Sequence, residues 1–155
     1  MEQLKALPYR TLIHAPRLSD KQIKKYQGRN VAFSPEPVRL TEASRECDLV
    51  ICHGGHGTVA ASLLAGRPVL VLHLQLEQLL LANNIVRLGL GKTVNPDSKN
   101  PNYRQLIRET LTDSEFAKRA RQFATKYADF SLVKQLDGIV TRCEEIVEGK
   151  PTSPS

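Results

Sequence analysis

Short apolar runs alternate with amphipathic stretches along most of the chain, as in proteins that build a strand and a helix in turn. TLIHA (11–15), NVAFS (30–34), DLVIC (48–52) and RPVLVLHL (67–74) read as strands, and SDKQIKKYQG (19–28), TEASREC (41–47), TVAASLLAG (58–66) and LEQLLLANNIVRLG (76–89) read as helices. Leu49, Val50, Ile51 and Cys52 form an unbroken apolar run, which predicts a strand covered on both faces. The alternation predicts an α/β fold with a Rossmann-like, doubly wound parallel sheet. Over residues 103–130 and 132–147, Leu, Ile, Phe and Val recur at helical spacing between charges, predicting two long C-terminal amphipathic helices. Residues 148–155, EGKPTSPS, are too polar and Pro-rich to fold and read as a disordered tail. Residues 1–147 then form a single domain.

The junction after the third strand carries the chemistry. It reads His53-Gly54-Gly55-His56-Gly57-Thr58. Glycines take backbone angles that other residues avoid, Thr58 is placed to cap a helix over residues 59–65, and Gly66 with Pro68 is placed to end it. Strand, glycine loop and helix N-terminus in succession aim free amides and the positive end of a helix dipole at one spot, which suits an anion such as a phosphate. The spacing is not G-x-G-x-x-G, and G-x-x-x-x-G-K-[ST] occurs nowhere, so neither a dinucleotide fingerprint nor a P-loop is present. A tight turn alone would need fewer glycines. His53, at the carboxyl end of a strand, stands where ligands bind in open α/β sheets. Cys52, His53, His56 and His73 raise the question of zinc, but Cys52 and His53 point to opposite sides of a strand and no second Cys pair is near, so no metal is expected.

H-G-G-x-G-T, then an apolar strand and an acid-Gln pair, resembles the donor-binding C-terminal domain of GT-B glycosyltransferases of the UDP-glucuronosyl, plant secondary-metabolite and macrolide kind. The register agrees without a gap: Pro37 stands at the family's proline, His53 at its phosphate-contacting histidine, and Glu77 with Gln78 at its sugar-contacting pair. LLLANNIVRLGLG then resembles the family helix that ends in a Gly-x-Gly turn, here Gly89 to Gly91. The resemblance implies the GT-B C-terminal half and a nucleoside-diphosphate sugar, of UDP or dTDP, as donor substrate. It implies a site of His53, Gly54, Gly55, Gly57, Thr58, Glu77, Gln78 and Val38, inversion at the anomeric carbon, and no metal cofactor. The chain departs from the pattern at Pro35, where plant members place a nucleobase-stacking Trp, and at Ala61, where many place a ribose-binding carboxylate. Base recognition then falls to backbone groups near Val38. Glu77 replaces the commoner Asp. Independently of the resemblance, an acidic first turn favours a helix N-terminus whether or not a sugar is bound.

At 155 residues the chain is too short for the two Rossmann-like halves of a GT-B enzyme, so the N-terminal acceptor half is expected to be absent and the chain by itself inactive. It is read either as the donor domain of a larger enzyme that needs an acceptor-binding domain or subunit, or as a naturally separate donor subunit. A non-catalytic nucleotide-binding module is the remaining alternative. The resemblance also implies that the last helix packs against the acceptor half through an apolar stripe. Three cysteines, an odd number and widely spaced, argue against a disulfide framework. No apolar run approaches the roughly 18 residues of a membrane span, and no signal-peptide pattern is present, so a cytoplasmic location is expected. Net charge of +6 belongs mostly to solvated helix faces, and scarce aromatics with no recognition motif argue against nucleic acid.

Overall fold

The computed structural model describes residues 2–149; Met1 and residues 150–155, most of the expected tail, lie outside them. The elements follow as α1 (Glu2–Lys5), β1 (Thr11–His14), α2 (Asp20–Tyr26), β2 (Val31–Ser34), α3 (Leu40–Glu46), β3 (Val50–Cys52), α4 (His56–Leu64), β4 (Val69–Leu72), α5 (Leu76–Arg87), β5 (Gly91–Val94), α6 (Tyr103–Thr112), α7 (Ser114–Lys126) and α8 (Leu132–Val147). Strand pairing is parallel in every ladder, in two sheets of order β1-β2 and β3-β4-β5.

β4 is the central strand of the larger sheet and is buried on both faces because its residues alternate between two cores. Val69 and Val71 pack on one side with Val59 and Leu63 of α4, Ala82 and Ile85 of α5, and Ala120 of α7. Leu70 packs on the other side with Leu7 and with Ile107 of α6. Helices on both faces are what the doubly wound expectation required.

Two helix ends explain how the strands around the site are placed. After α4, the amide of Gly66 donates to the Leu63 carbonyl (3.0 Å) and that of Arg67 to the Ser62 carbonyl (3.0 Å), with Gly66 at φ 73°. After α5, Gly89 (φ 66°) donates to Val86 and Leu90 to Ile85 in the same way. Both are Schellman closures, which use glycine's access to the left-handed region to stop a helix abruptly and start the next strand within a few residues.

The structure departs from the sequence reading at several places. Ile51 is 37% exposed, so β3 is not covered on both faces as expected, and it stands at the edge of its sheet. The doubly wound sheet is divided, since no strand among the described residues bridges β1 and β3. The helix expected over residues 103–130 is two helices. Asp113 closes α6 and opens α7, its carboxylate accepting from the Glu115 amide at 3.0 Å. β5 was not anticipated, because GKTV is short and only half apolar. Finally, Thr58 does not cap α4: the helix begins at His56, with Gly55 in the N-cap position.

Lys92 on β5 and Glu109 on α6 form an ion pair, and Gln105 also donates to that carboxylate (2.7 Å). Hydrogen bonds from Lys92 and then Gln105 hold the Glu109 carboxyl below its ordinary value of 4.5. A depressed folded-state value means the contribution is fully present above about pH 4.5 and is lost as pH falls through the folded value. Glu109→Gln is expected to flatten the acid limb of stability, read as the urea midpoint between about pH 3 and pH 7. An unchanged acid limb would rule the pair out as a contributor.

Candidate functional site

The carboxyl ends of β3 and β4 deliver two loops side by side. In the first, Gly54 alone needs glycine's backbone freedom: its φ is 91°, and a Cβ there would lie 2.9 Å from Val71 Cγ1 and 3.3 Å from Gln78 Cβ. That close approach brings the glycine loop against the first turn of α5. Gly55 has ordinary angles (φ −63°, ψ 129°), but a Cβ on it would stand 3.2 Å from His53 Nε2, so its missing side chain leaves room for the imidazole. Gly57 has open space around it.

Helix α4 starts without a side-chain cap. Its first internal bond runs from the Val59 amide to the Gly55 carbonyl (3.0 Å), so the amides of His56, Gly57 and Thr58 precede the intrahelical ladder. They carry the positive end of the helix dipole, beside the exposed His53 imidazole. Thr58 sits in the first turn, its carbonyl accepting from Ser62 Oγ at 2.7 Å.

The second loop brings Glu77 and Gln78 to the start of α5, as the sequence predicted. Their side chains are already engaged. Gln78 Oε1 accepts from the Leu74 amide (2.9 Å) and the Gln75 amide (3.3 Å), closing the N-terminus of α5 and leaving its NH2 group for other partners. Glu77 Oε1 lies 3.2 Å from His56 Nδ1, a bridge between the two loops that sequence reasoning did not find. Both partners are exposed, so the bridge orients Glu77 more than it stabilises the fold. Nothing in sequence spacing signals a pair 21 residues apart on different loops.

His73, at the end of β4, was weighed in sequence only as a zinc ligand. Its Nδ1 is 2.9 Å from Thr93 Oγ1, and that hydroxyl donates to the Val71 carbonyl at 3.1 Å. With that hydroxyl donating to Val71, its contact to His73 has Nδ1 as the donor. Cys52 points away into the core formed by Val59 and Leu63, and burial pushes its thiol above 9.0, which disfavours the thiolate a metal would need. Among the described residues no group of three or more His, Cys, Asp or Glu side chains is placed to hold a metal. Val38 lies on the loop between β2 and α3, which leaves the smaller sheet, whereas the remaining predicted site residues follow strands of the larger one.

The family model described as "Glycosyltransferase family 28 C-terminal domain" matches residues 12–136. An uncharacterized glycosyltransferase of Methanosarcina mazei is 30% identical over 132 residues, which span 84% of this chain and 33% of that protein. The zeaxanthin glucosyltransferase of Pantoea ananas is 30% identical over 118 residues, 74% of this chain and 26% of its own length. The chain thus spans a third or less of these curated relatives. Among solved structures, spinosyn rhamnosyltransferase SpnG superposes with a TM-score of 0.73 at 27% identity, over 88% of this chain and 38% of that one. Glycosyltransferase VinC, solved in complex with dTDP, gives 0.76 at 19% identity, covering 91% of this chain and 35% of that one, a likeness of fold. The chain belongs to the glycosyltransferase family 28 C-terminal domain family and has the C-terminal-domain fold of the GT-B type.

Proposed function

We propose that this domain binds a nucleoside-diphosphate sugar, of UDP or dTDP, for an inverting glycosyltransferase whose acceptor-binding half lies elsewhere. The observation that carries the reading is the uncapped N-terminus of α4, opening from the Gly54–Gly55 turn at the carboxyl edge of parallel strands. A diphosphate placed there meets the amides of His56, Gly57 and Thr58 and the His53 imidazole. As the glycosidic bond to the donor breaks, negative charge grows on the leaving diphosphate, and oriented amides stabilise it without a bound metal. Backbone groups near Val38 are assigned to the nucleobase.

The other half is proposed to dock on α8. Leu132, Leu136, Ile139, Val140 and Ile146 are all more than half exposed there, an apolar stripe with no core of its own.

Titration calorimetry with UDP and dTDP tests the site. One of the two is expected to bind the chain with a dissociation constant of about 1 mM or tighter. Gly55→Val is expected to remove that binding while sparing the fold, because the new side chain displaces His53 and crowds the α4 amides but meets only the far end of a side chain. Binding of neither diphosphate at that concentration would show the site to be misassigned.

Glu77 and Gln78 are assigned to the sugar. Glu77→Ala is expected to weaken NDP-sugar binding by about 1–3 kcal/mol with NDP binding nearly unchanged. Gln78→Ala is expected to do the same and to lower stability by about 1 kcal/mol as well, since its Oε1 closes the N-terminus of α5. Equal losses for NDP and NDP-sugar would move both residues out of the sugar subsite.

A further inference from the structure

Glu77 is the one acid among the predicted site residues, and it is held from the neighbouring loop. Its Oε1 stands 3.2 Å from Nδ1 of His56. The two residues belong to separate helix starts, His56 being the first residue of α4 and Glu77 the second of α5. What brings them together is the close approach at Gly54, where an added Cβ would stand 3.3 Å from Cβ of Gln78, the residue next to Glu77.

A carboxylate only accepts, so the shared proton lies on His56 Nδ1 and the bridge has one sense. It uses Oε1 and leaves Oε2 to accept from a hydroxyl. Gln78, whose Oε1 is committed to the Leu74 and Gln75 amides, presents its NH2 group from the next position. An acceptor and a donor on adjacent residues match two neighbouring sugar hydroxyls, each of which both donates and accepts. Stability is not what the bridge serves. The two side chains are 66% and 73% exposed, and exposed pairs contribute little to folding. An exposed glutamate loses rotamer freedom when a ligand fixes it, and a contact that fixes it beforehand removes that cost from binding.

We infer that His56 is a positioning residue for the sugar subsite: through Nδ1 it holds the Glu77 carboxylate toward the sugar hydroxyls and so sets how much the sugar adds to the affinity of the nucleotide. This rests on the assignment of Glu77 and Gln78 to the sugar. The two imidazoles of the glycine loop then divide its work, His53 at the diphosphate and His56 at the sugar.

Calorimetry with UDP, UDP-glucose, UDP-N-acetylglucosamine, dTDP and dTDP-glucose tests it, together with nitrogen-15 NMR of the histidine rings at about pH 8, where an ordinary imidazole is neutral. The His56 ring, assigned by its loss in His56→Asn, is expected to carry its proton on Nδ1 and to lose that preference in Glu77→Ala. His56→Ala is expected to lower the ratio of NDP-sugar to NDP affinity about three- to tenfold, the usual worth of a hydrogen-bonded contact. His56→Asn is expected to recover most of that ratio, because the asparagine NH2 group stands in for Nδ1–H. Glu77→Asp draws the carboxylate back by one methylene and is expected to lower the ratio as His56→Ala does. On the Glu77→Ala background, His56→Ala is expected to change it by less than about twofold, since residues that act as a unit are not additive. A His56 Nδ1 without a proton would overturn the inference, and so would additive losses in the two alanine variants. A lowered urea midpoint in His56→Ala with UDP and UDP-sugars weakened alike would make His56 a structural residue and overturn it as well. Binding of neither UDP nor dTDP would take down the donor reading and this inference with it, whereas nucleotide binding with an unaltered ratio in His56→Ala would overturn this inference alone.

Discussion

Gly91→Ala is expected to prevent cooperative folding. A Cβ at Gly91 would lie 1.8 Å from the Val69 carbonyl oxygen, 2.8 Å from its carbon and 2.9 Å from its nitrogen. All three are backbone atoms of β4, so no side chain can rotate away. Val69 itself is fully buried between α4, α5 and α7 and sits in register with Gly91 across the β4–β5 ladder. Relief requires moving β5 off β4, which breaks that ladder and opens both cores together. Domains of this size are stable by about 5–15 kcal/mol, and separating a central strand from its neighbour consumes a large part of that. Far-UV circular dichroism through a urea titration is the check: a variant with a native-like midpoint would show that β5 can shift without loss. Gly57→Ala is the matched control, because a Cβ there meets nothing within 4 Å.

The contrast between these glycines marks how far sequence reaches. That a glycine cluster follows β3 was plain, and so was the anion-friendly order of strand, loop and helix. Which glycine does what was not, because Gly54, Gly55 and Gly57 look alike in one dimension and differ only in φ and in what approaches from α5 and β4. Thr58 was misread for a related reason: a threonine before an apolar helical run fits the N-cap rule, but Gly57 tolerates helical angles and the helix reaches back to His56. At Asp113 the apolar period continues from α6 into α7 with little change of phase, so periodicity hid a break that an aspartate followed by Ser114 and Glu115 does signal. The division into two sheets was beyond a pattern reading altogether. Alternating strand and helix says that a parallel sheet forms, but which edges find partners depends on the order in space, and Ile51 reads as an interior residue whether or not its strand lies at an edge.

Residues 1–155 alone are expected to transfer no sugar to an acceptor at a measurable rate. On the proposed donor-binding reading, what this domain supplies is charge stabilisation of the leaving diphosphate, by the amides at the start of α4 and by His53. Preorganised donors of that kind contribute about 10² to 10³ in rate. Transfer also requires a base to take the acceptor's proton, worth about 10² to 10⁴, and an acceptor held in line with the anomeric carbon, where effective molarities reach about 10⁵ M or more. Neither follows from the residues assigned here. His56 is held by Glu77, and His73 has its Nδ1 directed to Thr93. Slow hydrolysis of the NDP-sugar by water is the most the chain should show, and it should fall when Gly55→Val blocks the diphosphate position. Addition of an acceptor-binding half should raise transfer by several orders of magnitude, and replacing Leu136 and Ile139 on the α8 stripe with Lys should cancel the gain without lowering NDP affinity. Product analysis by mass spectrometry with UDP- and dTDP-sugars reads all three cases. Efficient transfer to a soluble acceptor by residues 1–155 unaided would mean that a base and an acceptor pocket reside within this domain after all.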